Sequence, residues 1–225
     1  MEQPETGTEP DSSQTTRQAL AETSVHKNRE ITNTETAGTE IKNTAFFPVS
    51  EGKLITLYIL SFGLYGVYWF YRNWKLQQPT MSKNIYPVWR AIFSIFFTHS
   101  LFKRINQQAS NLEEKHRFNA NAFATFFVVT IIASNVVDRL VGTTQTTGNI
   151  FNNTIIITSL VLFILSVIPI AKAQATVNRI NNDMLGYLNH KYSLANYVLI
   201  ALGSIFWILL VLEMLFDFMG IAAAE

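Results

Sequence analysis

Few side chains in this sequence have the chemistry to act on a substrate. There are four histidines, His26, His99, His116 and His190, and no cysteine. Without cysteine there is no disulfide, thiolate metal site or thiol nucleophile. None of the histidines is spaced for shared ligation with another His, Asp or Glu, so no metal site is expected. The Gly-x-Ser-x-Gly, Ser-x-x-Lys and phosphate-loop patterns are missing as well. His99 interrupts an apolar run. It reads either as a relay inside a helix bundle or as an interfacial histidine near Lys103, and the second reading is favoured. Glu213 closes another apolar run and reads as the point where a span leaves the lipid. A lipid-modifying enzyme would need two convergent catalytic groups at one depth, and the pattern supplies none. The expectation is therefore a protein that is not an enzyme and that carries no cofactor.

Two other constellations are suited to binding. One is a set of amides and bases: Arg90, His99, Arg104 and Asn106 in the first half, and Gln174, Asn178, Arg179 and Asn181 in the second. Residues 174, 178 and 181 share a helix face. The set reads either as a docking or solute site at a cytoplasmic mouth, or as amides bonding neighbouring helix ends with arginines on lipid phosphate. The other is FGLYGVYWFYRNW at residues 62–74, in which seven of thirteen residues are aromatic. Tyr65, Tyr68, Trp69, Tyr71 and Trp74 suit a membrane–water interface, where a ring keeps its body in acyl chains and its polar tip among headgroups. Arg72 and Lys75 would then reach the phosphate layer.

Long uncharged runs must position these residues. They cover residues 54–71, 118–137, 140–171 (densely apolar from 155) and 192–212. About 20 helical residues cross a hydrocarbon core of ~30 Å. The reading is an all-α integral membrane protein with four transmembrane helices, at about 54–73, 118–137, 154–172 and 193–213. Residues 87–112 form an interfacial amphipathic helix, with five spans as the alternative if 87–102 crosses. Pro169 is expected to kink its span. Residues 1–44 are rich in Thr, Glu, Gln, Asn and Ser and have no Phe, Tyr or Trp, which predicts a disordered tail ahead of a membrane domain at 45–218. No apolar run opens the chain, so insertion is expected to begin with an internal segment.

Charge sets the expected orientation. Residues 1–51 hold nine acids and four bases, and the remainder holds seven acids and thirteen bases. Eight bases lie between Arg72 and Arg117, which places that stretch and 172–191 in the cytoplasm, with 138–154 and the C-terminal residues outside. Four spans then put the N-terminal tail outside. Arg-Ile-Asn recurs at 104–106 and 179–181, a weak echo of a duplicated helix pair.

The stretches FFPVSEGKLITLYILSFGLYGVYWFYRNWKL and PVWRAIFSIFF, with SLFKRIN and PIAKAQATVNRIN beyond, resemble a family of small bacterial integral-membrane proteins catalogued as a domain of unknown function. The resemblance implies a multi-span protein of the bacterial inner membrane and brings no activity or cofactor. The leading expectation is a scaffold or interaction protein whose basic and aromatic face meets anionic lipid or a partner protein, with a second copy of the chain among the candidates. A small oligomeric channel or transporter subunit using Arg90, His99 or Glu213 is the alternative. Nucleic acid is not an expected partner.

Overall fold

The computed structural model describes residues 44–112, 118–143 and 149–218. Its regular structure is helical, with no strand among the described residues. The predicted tail lies outside the described residues except for Thr44, and so do His26 and His116.

The first predicted span is two helices. α1 (Glu51–Leu60) and α2 (Leu64–Gln77) are separated by Ser61-Phe62-Gly63. At about 1.5 Å per residue, neither helix reaches across ~30 Å of hydrocarbon. The break is a Schellman closure. The Gly63 amide bonds the Tyr58 carbonyl at 2.9 Å and the Phe62 amide bonds the Ile59 carbonyl at 3.2 Å. Phe62 (φ +50°) and Gly63 (φ +85°) both sit in the left-handed region. A side chain there costs about 1–2 kcal/mol; the Phe62 ring gains a stack on Trp207 at 5.0 Å. Past the turn, the Tyr58 ring lies over Gly66, where a Cβ would come within 2.6 Å of Cε2.

The predicted interfacial helix is also divided, into α3 (Pro87–Ile92) and α4 (Ser94–Gln108), with Phe93 non-helical between them. Thr98, Leu101, Phe102 and Ile105 face inward, while Trp89, Ile92, Phe93 and Phe96 are exposed. α5 spans Ala120–Thr143. α6 (Asn149–Leu165) and α7 (Val167–Ile180) meet at Ser166. This is the predicted Pro169 disturbance: proline has no N–H to donate, and its ring clashes with the carbonyl four residues back, that of Leu165. α8 runs Leu194–Phe218. Three segments are long and apolar enough to cross a membrane: Ala120–Arg139, Asn153–Ile180 across the Ser166 joint, and Leu194–Phe216.

Burial is concentrated in one region. Phe46, Phe47, Val49, Leu57, Trp69, Phe70, Trp74, Leu101, Phe102 and Ile170 are at most 2 % exposed. They come from the non-helical segment before α1 and from α1, α2, α4 and α7, which form the packed body. α8 has few protein neighbours. It is held at the break, where Trp207 Nε1 donates to the Ile59 carbonyl at 3.1 Å and Gly203 lets the Leu60 carbonyl come close. Most of its apolar face is exposed, which suits a lipid solvent and would be a liability in water.

The two Arg-Ile-Asn triplets do not occupy equivalent places. The first lies inside α4. The second ends α7, where the Asp183 amide bonds the Asn178 carbonyl at 2.8 Å and Asn182 takes a φ of +57°.

Candidate functional site

Three of the amides predicted as a binding patch, Gln174, Asn178 and Asn181, converge on residues 46–49, FFPV, a buried non-helical strap through the body. A buried segment with no helix or strand pairing must satisfy its backbone polar groups some other way. Here side chains do it. Asn181 brackets Phe46, accepting from its amide at 3.4 Å and donating to its carbonyl at 2.8 Å. Asn73 accepts from the Phe47 amide at 3.1 Å. Gln174 donates to the Phe47 carbonyl at 3.2 Å and Asn178 to the Val49 carbonyl at 3.0 Å. Asn189 reaches the Pro48 carbonyl at 3.1 Å and Gln77 the Ala45 carbonyl at 2.7 Å.

The amides are themselves linked. Gln174 accepts from Trp69 Nε1 at 2.5 Å and donates to Asn178 Oδ1 at 2.6 Å. A network with its donors and acceptors paired rigidifies a core, whereas a half-paired one destabilises it. Above the strap, Gly186 at φ +70° brings its loop onto the backbone of Val49 and Ser50. Lys53 is 4 % exposed, and its ammonium donates to Asn189 Oδ1 at 2.8 Å and to the Lys191 carbonyl at 2.7 Å. Burial pulls its pKa down to about 8.

The predicted aromatic anchors divide. Tyr65, Trp69 and Trp74 are buried among protein side chains, so their rings stabilise the body and do not meet headgroups. Tyr68 is exposed and accepts from Arg72 Nη1 at 2.9 Å. Lys75 is exposed and Tyr71 half-buried. The bases around α2 rest on rings: Arg72 on Phe47 at 4.7 Å, Lys75 on Tyr71 at 5.7 Å, and Arg90 on Trp74 at 4.5 Å and Phe97 at 5.0 Å. Arg104 donates to Gln77 Oε1 at 3.0 Å, an oxygen that also accepts from Gln108 at 3.1 Å. Gln77 thus joins the backbone ahead of the strap, at Ala45, to Arg104 of α4.

The remaining candidates are dispersed. His99 is exposed and bonds Thr125 Oγ1 at 3.1 Å. Asn106 lines an open groove with Lys103, Gln107, Ser110, Asn119 and Asn121. Arg179 is half-buried near the end of α7, and Glu213 is exposed near the end of α8. Among the described residues no three His, Cys, Asp or Glu side chains are grouped to hold a metal ion. Sequence reading missed Asn73, Gln77, Asn189 and Lys53. For Asn73 and Gln77 the only signal was an amide in an aromatic-rich helix; Lys53 and Asn189 carried none. The chain matches no family model, no curated protein and no solved structure.

Proposed function

We propose that this chain is a non-enzymatic scaffold or interaction protein of a bacterial inner membrane, and that its basic, aromatic face holds anionic lipid or a partner protein on the cytoplasmic side. The supporting observation is the setting of Arg72, Lys75 and Arg90. Each rests on an aromatic ring, with its charge left for an external anion. The exposed row Trp89, Ile92, Phe93 and Phe96 on α3 and α4 fits a helix pair lying in the interface with its apolar side in acyl chains. In this reading residues 54–73 of α1 and α2 make the fourth membrane-embedded element, beside the three long apolar segments. The alternative transport reading needs Arg90, His99 or Glu213 along one pathway. Arg90 lies on rings, His99 bonds Thr125 and Glu213 is exposed on α8, so nothing favours it.

The test is the lipid the protein keeps. Full-length chain extracted from a mixed membrane in mild detergent should retain anionic phospholipid in excess over its share of the membrane. Retention in proportion to bulk composition, with no protein co-purifying, would remove the basis for this reading.

A further inference from the structure

Arg90 and Arg104 stand out among the charged groups. Both are half-buried, and both pack on the same turn of α2, Arg90 on the Trp74 ring and Arg104 on the Gln77 side chain. Burial and, second, the Arg104 charge hold the Arg90 pKa below the ordinary guanidinium value. Each guanidinium carries five N–H donors. Among the described residues, Arg104 has one side-chain acceptor, Gln77 Oε1, and Arg90 has none. The Trp74 ring under Arg90 adds a buried indole N–H that has no partner either. Such a donor surplus is unfavourable in a half-buried place unless something anionic completes it.

The positions are fixed, not incidental. Arg90 lies over both the Trp74 and Phe97 rings, which meet edge to face. Arg104 is held by Gln77, whose own amide is tied to the Ala45 carbonyl. Two planar guanidiniums so held match an oxyanion with several acceptor oxygens, because each can offer a two-pronged donor pair. The adjoining exposed aromatic row of α3 and α4 would lie in acyl chains at the same level.

We infer that Arg90 and Arg104, on the Trp74 platform, form a binding site for a phosphate oxyanion, supplied by a phospholipid headgroup at the membrane surface. This rests on the proposed lipid-facing role of the basic face and names the ligand chemistry and two of its residues.

The experiment uses full-length protein in a neutral detergent. Thermal midpoints are measured against short-chain phosphatidylglycerol, short-chain phosphatidylcholine and inorganic phosphate. Phosphatidylglycerol should raise the midpoint in a saturable way, phosphatidylcholine should do so less, and inorganic phosphate should compete only at far higher concentration. Arg90→Gln with Arg104→Gln should weaken the phosphatidylglycerol effect about a hundredfold, each lost charge-assisted contact being worth about a factor of ten. Lys103→Gln, which removes an exposed charge from the same helix, should change it little. Native mass spectrometry of wild-type protein gives a second reading, by counting tightly held phosphatidylglycerol, should the double variant fold poorly. If wild-type protein prefers phosphatidylglycerol and the double variant keeps that preference, this site is refuted while the lipid-facing role stands. If wild-type protein does not distinguish the two lipids, both fall. If inorganic phosphate acts as strongly as phosphatidylglycerol, the lipid source is wrong.

Discussion

The side-chain amide of Asn178 donates to the backbone carbonyl of Val49 at 3.0 Å, across 129 positions of sequence. Val49 therefore gets from a helix side chain what a strand residue gets from a neighbouring strand. Asn178→Leu should leave that carbonyl buried and unpaired and cost about 1–3 kcal/mol, read as a lower thermal midpoint. Backbone amide exchange at Phe46 and Phe47 should quicken in the variant. Unchanged exchange there would mean that the strap does not depend on the amide cage.

The turn between α1 and α2 depends on a Tyr58–Gly66 contact, with the Tyr58 hydroxyl 2.7 Å from Ser166 Oγ. Gly66→Val should overpack this contact and destabilise by about 1–3 kcal/mol. Tyr58→Ala should be destabilising alone but should relieve part of the Gly66→Val defect when combined. Strict additivity in this double-mutant cycle would show that the two residues do not meet.

Lys53 gives a dependence on pH with a defined sign. Burial lowers its pKa from 10.5 to about 8. Between those values the unfolded chain keeps a proton that the folded chain has released. Its contribution to stability therefore rises with pH through that window and is least favourable below about 8. Lys53→Met should flatten the stability profile between pH 8 and 10.5 relative to wild type. A wild-type profile that falls because of Lys53 in this window would contradict the assignment.

The sequence was informative where one residue type carries a local rule. Pro169 marks the α6–α7 joint because a missing donor and a ring clash act within four residues. The long uncharged runs at 118–137, 140–171 and 192–212 overlap the helical segments of spanning length at 120–139, 153–180 and 194–216 for a similar reason. The break at Phe62 and Gly63 was hidden, because an uncharged run measures hydropathy and not backbone handedness, and phenylalanine rarely enters the left-handed region. Trp69 and Trp74 were read as interfacial because composition cannot distinguish a ring facing headgroups from one facing protein; Gln174 meets Trp69 and Arg90 covers the Trp74 ring, both from other segments of the chain. The shared face of Gln174, Asn178 and Asn181 was visible from spacing, but its partner, the backbone of 46–49, lies more than 120 residues away in the chain.

The most direct test of the account concerns which side of the membrane carries the basic, aromatic face. Gln78 is exposed just beyond α2, between the bases of α2 and those of α3 and α4. The chain has no cysteine, so Gln78→Cys introduces a single thiol. Intact cells are treated with a membrane-impermeant thiol reagent, with lysed cells as the positive control. The thiol should stay protected until lysis, which puts this face in the cytoplasm. Full labelling in intact cells would place Arg72, Lys75 and the turn at Gln78 outside, and the proposed cytoplasmic docking face would be wrong.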